Sequence, residues 1–412
     1  HVSSRRQRQM CIRDRMLQAF LDKFGFKYSF KSATELYKSG FFNDQLIKVL
    51  NSYDEIKKII LPTLGEERKK TYSPFLPICP ETGHVLEVEI ISINTEKNTV
   101  VYLQNNKEIE QSILDGNCKL QWKVDWAMRW CALDIDYEMY GKDLIPTFQL
   151  SSKVCRALGH QPPENYFYEL FLDQNGEKIS KSKGNGLSIE EWLSYAPKET
   201  LSYFMYQNPR RAKKLFLDVI PKSVDEFLSH LNKFKDQNDE EKIENPVWHI
   251  MNSHNHIGSI PISFNLILNL VSASGKSDPD FILDFIKKYN NSVINSDHNF
   301  MLELITGAIS FEKNVNADKI QFKVPSEEEK SIFLDLINRI ELLPDNVDAE
   351  TIQTEIYQIG KDYKFDNLRD WFKLIYQVLF GKSDGPRFGT FIAIYGIKET
   401  IQLIRERIKV GK

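Results

Sequence analysis

Hydrophobic residues recur with a helical period at the start of the chain and then change to an alternating pattern. Leu17, Phe20 and Leu21 belong to an i, i+3, i+4 series, and comparable spacing continues to about residue 70, which predicts helices. Two later segments, Val85 to Ile91 and Val100 to Leu103, are rich in β-branched residues and alternate in polarity. They predict two strands joined by a turn at residues 94–98, within a small β insert.

The pattern changes twice more along the chain. Short strand-like and helix-like segments alternate between residues 116 and 200, which is typical of α/β structure. After Thr200 almost every segment has helical spacing. We therefore predict an α/β region followed by an all-α region, with these segments as the clearest elements: strands at Ile135 to Tyr140 and Phe167 to Leu172, helices at Leu150 to Leu158 and Ser188 to Tyr195, and a charged linker at Lys235 to Glu244.

The first fifteen residues differ from the remainder in composition. They contain five of the fifteen arginines of the chain and no lysine, whereas the rest favours lysine strongly. A basic arm or a transit peptide would have this composition. We favour the interpretation that residues 1–15 are a foreign or artefactual prefix, and we exclude them from the fold prediction.

Charge and cysteine content exclude several classes of protein. The formal charge of −3 argues against non-specific nucleic-acid binding through bulk charge, so an RNA partner would need local basic patches. The five cysteines have no paired spacing, which argues against a disulfide framework and fits a reducing cytoplasm. No apolar run approaches the roughly 18 residues of a membrane span, so we expect no membrane association.

One short loop carries the clearest chemical signal. Residues 176–186 read GEKISKSKGNG and are called the signature loop below. In this loop, two ammonium groups and two hydroxyls lie between glycines, and they belong to Lys178, Ser180, Lys181 and Ser182. Attack of a carboxylate on the α-phosphate of ATP builds negative charge on phosphate oxygens, and ammonium groups placed there stabilise the transition state. A solvated lysine–serine loop is the alternative.

The KISKS segment matches the KMSKS loop of class I aminoacyl-tRNA synthetases, with isoleucine in place of methionine. Further segments in the same order narrow the resemblance to class I lysyl-tRNA synthetases, over residues 16–412. They are KLQWKVDWAMRW (119–130), YEMYGKD (137–143), YFYELF (166–171), DWF (370–372) and GPRFG (385–389).

The resemblance implies a partial Rossmann-type catalytic domain with a small β insert, followed by an α-helical anticodon-binding cage. The domains expected from it are a helical connective segment of the catalytic domain (16–75), the β insert (76–115), the second half of the catalytic domain with the signature loop (116–200), stem-contact helices (201–240) and the anticodon-binding domain (241–412).

The resemblance also implies roles for single residues. Lysine would be bound by Trp122 and Tyr168. ATP would be bound by Lys178, Lys181 and Asp143. The alternative for Trp122 is helix packing, and the alternative for Asp143 is a structural cap of the following helix. The basic cluster after the signature loop would contact tRNA, unless it is simply a solvated face; it consists of Arg210, Arg211, Lys213 and Lys214.

The function implied is lysine–tRNA ligation in the cytoplasm, with ATP and its Mg²⁺, lysine and tRNA(Lys) as partners. The family's HIGH motif should precede KISKS, and His256-Ile257-Gly258-Ser259 follows it, so we interpret the latter as coincidental and expect an N-terminally truncated chain. A catalytically incomplete tRNA-binding fragment and another class I synthetase are the alternatives. Cys79 and His84 are too few for a structural zinc site, which needs four ligands.

Overall fold

A computed structural model describes residues 14–179, 184, 186–251, 258, 260–289, 297–317, 319–344 and 347–409. The chain divides into two units, His1–Leu170 and Phe171–Lys412. The boundary falls inside the segment 116–200, for which one domain was expected from the sequence. In the described residues, no helix has the length and apolar character needed to cross a membrane.

The first unit contains both helices and strands. Its helices are α1 (residues 14–23), α2 (Ala33–Lys38), α3 (Asn43–Asn51), α4 (Tyr53–Ile60), α5 (Glu66–Thr71), α6 (Trp122–Leu133) and α7 (Ile145–Ala157). Its strands are β1 (Phe75–Pro77), β2 (Ile90–Asn94), β3 (Thr99–Gln104), β4 (Lys107–Ser112), β5 (Cys118–Leu120), β6 (Tyr137–Gly141) and β7 (Glu164–Tyr168).

The predicted β insert is present as an antiparallel sheet in the order β2-β3-β4. Asn105 and Asn106 both have positive φ, which suits the tight turn between β3 and β4. The prediction of a strand starting at Val85 was wrong, because β2 begins at Ile90, opposite Tyr102. Strand β3 ends two residues later, at Gln104, so residues 85–87 lie beyond its end.

Strands β6 and β7 form a parallel pair connected by α7, which is a β-α-β unit. Helix α7 begins at Ile145, earlier than predicted, because Pro146 lies in the first turn, where a missing N–H costs nothing. The predicted strand Phe167 to Leu172 is in fact two strands with different partners, and its second part belongs to the other unit. The core of the first unit lies where α6 and α7 pack on α3 and α4.

The second unit is almost entirely helical. Strands β8 (Phe171–Leu172) and β9 (Lys213–Lys214) form its small parallel sheet. The helices are α8 (Ile189–Leu193), α9 (Lys198–Tyr206), α10 (Val219–Phe234), α11 (Asp239–Glu244), α12 (Pro246–Ile250), α13 (Phe264–Ser274), α14 (Pro279–Tyr289), α15 (His298–Phe311), α16 (Glu327–Glu341), α17 (Ala349–Asp362), α18 (Leu368–Leu379), α19 (Phe388–Tyr395) and α20 (Ile397–Lys409).

The order of an α/β region followed by an all-α region is therefore confirmed. One correction concerns the charged segment Lys235 to Glu244, which was expected to be a linker. Its second half forms α11, because Asn238 and Glu241 make reciprocal side-chain bonds to each other's backbone N–H groups. Such a capping box satisfies donors at the first turn and lets a short, highly charged helix form.

Candidate active site

Strands β6 and β7 end together, and two of the predicted site residues lie at that edge. Gly141 pairs with Tyr168 at the last position of the parallel ladder, and Asp143 follows in a 3₁₀ turn. A β-carbon on Gly141 would lie 2.8 Å from Asp143 Oδ1 and 3.6 Å from Tyr168 Cε2. The glycine therefore allows both side chains to approach the carboxyl end of the pair, where open parallel sheets bind their ligands.

Two features fix the surroundings of this edge. Lys142, beside Asp143, makes a 2.7 Å ion pair with Glu169, which holds the turn after β6 to the end of β7. Leu144 occupies the N-cap position of α7.

The three tryptophans of α6 form a stack along one side of the helix. The ring centroids of Trp122 and Trp126 are 5.3 Å apart, and those of Trp126 and Trp130 are 5.0 Å apart. Trp126 and Trp130 are buried, and both indole N–H groups donate to Glu138 Oε2, at 3.2 and 2.7 Å. These two residues therefore pack in the core of the first unit. Trp122 is 48% exposed at the end of the stack.

Trp122 also lines a cavity of about 450 Å³ within the first unit. Tyr72 lines the same cavity, and burial raises the pKa of its phenol above the ordinary value. Contacts lead from Trp122 to the end of β6 through Trp126, whose ring lies 5.8 Å from that of Tyr140, next to Gly141. The stack therefore joins the cavity to the carboxyl end of the parallel pair.

A buried charge network that we did not predict holds α6 in place. The Tyr37 hydroxyl donates to Asp125 and accepts the N–H of Leu120 at 3.2 Å, and Arg129 pairs with the other Asp125 oxygen. Burial raises the pKa of Asp125, while Arg129 and Tyr37 oppose that shift. The sequence signal was an aspartate in a tryptophan-rich helix with an arginine four residues later.

Within the signature loop, the structure describes residues 176–179, 184 and 186. Lys178 forms a β-bridge with Leu172, and the Ile179 N–H donates to the Phe171 carbonyl at 3.1 Å. Ser180, Lys181 and Ser182 lie outside the described residues, as does His256. After the loop, Ser188 caps α8 in a capping box with Glu191, which fixes where the chain becomes helical.

The four members of the predicted basic cluster have different environments. Arg210, Arg211 and Lys214 are exposed. Lys213 is half-buried, and its ammonium donates to the backbone carbonyls of Phe204, Met205 and Gln207. Burial lowers the pKa of Lys213 to about 8.

The remaining sequence signals have structural explanations. Cys79 and His84 belong to a tight turn, in which the Cys79 N–H donates to the His84 carbonyl at 2.8 Å. Trp371 of the DWF segment is fully buried, and its indole donates to Ile356 O at 2.9 Å. A β-carbon on Gly389 of the GPRFG segment would lie 2.5 Å from Ala349 O, so that glycine permits α19 to pack closely on α17.

Comparisons with known proteins agree with these features. Residues 12–254 match the family model of tRNA synthetases class I (K). The chain is 48% identical to a lysine–tRNA ligase of Rickettsia bellii (strain RML369-C) over 95% of its own length and 76% of the relative's. It is 47% identical to the corresponding ligase of Rickettsia felis, over 95% and 75%. The chain belongs to the class I tRNA synthetases of the lysyl type.

Proposed function

We propose that this protein joins lysine to tRNA(Lys) in the cytoplasm, using ATP. Lysine and ATP first give lysyl-adenylate and pyrophosphate, and the terminal ribose of the tRNA then attacks the adenylate and releases AMP. The observation that carries the proposal is the 48% identity over 95% of the chain to proteins named lysine–tRNA ligase.

The signature loop is proposed to act on the triphosphate. In the first reaction, the lysine carboxylate attacks the α-phosphate as pyrophosphate leaves, and charge grows on the oxygens that Lys178, Ser180, Lys181 and Ser182 would contact. Hydrogen-bond donors that bind the transition state, with this added charge, more strongly than they bind the ground state lower the barrier. Mg²⁺ bound to the phosphates of ATP would neutralise part of their charge.

The lysine substrate is proposed to bind between aromatic side chains. Trp122 presents a half-exposed ring, and Tyr168 is 43% exposed at the end of β7. An aromatic face attracts an ammonium group by about 0.5–2 kcal/mol. Asp143, at the edge shared with Tyr168, is proposed to anchor ATP or the substrate amine.

The tRNA is proposed to contact exposed basic residues beyond the signature loop. Arg210, Arg211 and Lys214 are close in sequence and exposed, which suits phosphate contacts. Residues 201–240 would contact the stem, and the helices of residues 241–412 would hold the anticodon. The overall charge of −3 makes such a local patch necessary.

The reaction is tested by ATP–pyrophosphate exchange on the purified protein with saturating tRNA. Exchange should depend on lysine and should not be supported by arginine, glutamate or cysteine. Dependence on one of these other amino acids would refute the proposal.

The signature loop is tested by Lys181→Ala. We expect roughly a 10²- to 10³-fold loss of exchange rate with little change in the KM for lysine, by analogy with lost oxyanion donors. Lys183→Ala, in the same loop but outside the five-residue signature, is the matched control and should lose far less. A rise in the lysine KM alone would mean that Lys181 does not act on the phosphates.

A further inference from the structure

The base of the signature loop depends on strand β8. Lys178, the first residue of the signature, bridges Leu172, and Ile179 bonds to Phe171. Both contacts use one edge of β8. The position of Lys178 is therefore set by where β8 lies.

The other edge of β8 is held by β9. Phe171 pairs with Lys213 and Leu172 with Lys214, and the Leu215 N–H donates to the Leu172 carbonyl at 2.7 Å. Each strand is only two residues long. Such a short ladder has little stability of its own, so its position must be fixed by side chains.

Lys213 supplies this anchor. Its ammonium donates to the carbonyls of Phe204, Met205 (3.2 Å) and Gln207 (2.6 Å), at the end of α9. The same ammonium lies 4.9 Å from the ring centroid of Phe204 and 5.9 Å from that of Phe171. The last carbonyls of a helix have no partner within the helix and carry its negative dipole end, so a buried cation there is well matched.

This environment separates Lys213 from its neighbours. Arg210, Arg211 and Lys214 are exposed, whereas the Lys213 ammonium is engaged by three carbonyls and two aromatic rings. A phosphate contact would require it to leave these partners. Its burial also lowers the pKa of Lys213 to about 8, which reflects the loss of contact with water.

We propose that Lys213 is a positioning residue for adenylate formation and not a tRNA contact: its ammonium fastens β9 to the end of α9, and β9 thereby fixes β8 and the Lys178 end of the signature loop. This proposal rests on the proposed function for its kinetic consequence. Its structural part, the anchoring of β8, does not.

The test compares Lys213→Arg and Lys213→Met with the control Lys58→Met, at an exposed lysine of α4. Arginine keeps the charge, but its planar guanidinium cannot replace an ammonium on which three carbonyls converge. Both Lys213 variants should lower the rate of lysine-dependent exchange at saturating tRNA by roughly 10- to 100-fold, the scale on which misplaced catalytic groups act. Their tRNA affinity and its salt dependence should match those of Lys58→Met.

Amide hydrogen exchange provides a readout that needs no activity. Residues 171–179 should exchange faster in Lys213→Arg, while α10 should remain as protected as in the unsubstituted protein. The proposal is overturned if the amide hydrogen exchange rates of residues 171–179 are the same in Lys213→Arg as in the unsubstituted protein. It is also overturned if Lys213→Met has a normal rate of ATP–pyrophosphate exchange but binds tRNA more weakly, with a salt slope reduced by about 1. If the unsubstituted protein shows no lysine-dependent exchange, the proposed function fails, whereas the anchoring of β8 is still decided by the hydrogen-exchange comparison.

Discussion

Three tryptophans with the same helical spacing have different environments in α6. Trp126 and Trp130 are 7% and 3% exposed and share Glu138 as a hydrogen-bond acceptor, whereas Trp122 is 48% exposed. The stack supports one face of Trp122 through Trp126. A ring that is held on one face and open elsewhere can bind a cation without contributing much to the core.

This difference leads to a prediction for Trp122→Ala. The kcat/KM for lysine should fall by roughly 2- to 30-fold, the equivalent of a lost aromatic–ammonium attraction, while the KM for ATP changes little. Trp126→Ala, by contrast, should destabilise the protein by about 3–5 kcal/mol, because it empties a buried site. Steady-state kinetics and thermal unfolding of both variants measure these effects. Equal losses for lysine and ATP in Trp122→Ala would indicate damage to α6 instead.

Local sequence patterns predicted single residues and elements better than long-range contacts. The KISKS segment was recognisable because its chemistry lies in consecutive residues. The bond between Tyr37 and Asp125 joins positions 88 residues apart, and nothing near either residue indicates the other. For Lys213, the sequence showed a basic cluster but not the helix end that binds its ammonium.

At the scale of elements, strand limits depended on partners that the sequence does not show. The alternating pattern from Val85 correctly indicated a β segment, but β2 begins only at Ile90, opposite Tyr102 near the end of β3. The break after Tyr168 similarly arises because β7 and β8 pair with different strands. Alternation in polarity reports burial of one face, whereas the length of a strand is set by its neighbours.

Helix α15 contacts the segment that follows the signature loop through a glycine. A β-carbon on Gly307 would lie 2.2 Å from Tyr195 O and 2.7 Å from Tyr195 C, and nearby the Tyr195 ring packs edge-on against Phe311. The backbones of the two segments can come this close only because position 307 has no side chain.

We therefore predict that Gly307→Ala is destabilising. A helical glycine replaced by alanine normally gains about 1 kcal/mol in helix propensity, but forcing a methyl group against backbone costs about 1–3 kcal/mol or more. Because the methyl group would meet backbone atoms, we expect the upper end of that cost and a net loss of about 2 kcal/mol in denaturant unfolding. Thr306→Ala, at an exposed position in the same helix, is the control and should not be destabilised. A Gly307→Ala protein as stable as this control would show that the two segments separate without cost.

At the scale of the whole molecule, stability depends on where a folding unit begins and ends more than on where a sequence motif does. Residue 241 was expected to begin the anticodon-binding domain, and that limit stays a prediction. Helix α10 lies before it and packs on helices from both sides. Phe227 contacts Tyr203 of α9 and Phe300 of α15, with ring centroids 6.1 and 6.3 Å apart, and Asp225 accepts the Asn265 side-chain amide at 2.7 Å.

The last prediction compares a fragment of residues 171–412 with one of residues 241–412. Helix α10 buries seven residues, namely Ile220, Ser223, Val224, Phe227, Leu228, Leu231 and Phe234. Each large apolar side chain contributes about 1.5–3 kcal/mol when buried, so losing the helix removes an amount comparable to the about 5–15 kcal/mol that stabilises a typical domain. The longer fragment should therefore show one cooperative thermal transition by circular dichroism, and the shorter one a broad, non-cooperative loss of helix.

Phe227→Ala in the longer fragment should lower the midpoint of its thermal transition, because the substitution removes the ring that contacts both α9 and α15. Lys235→Met should leave that midpoint unchanged. A shorter fragment that melts cooperatively at the temperature of the longer one would show that the helices after residue 240 bury a sufficient core among themselves.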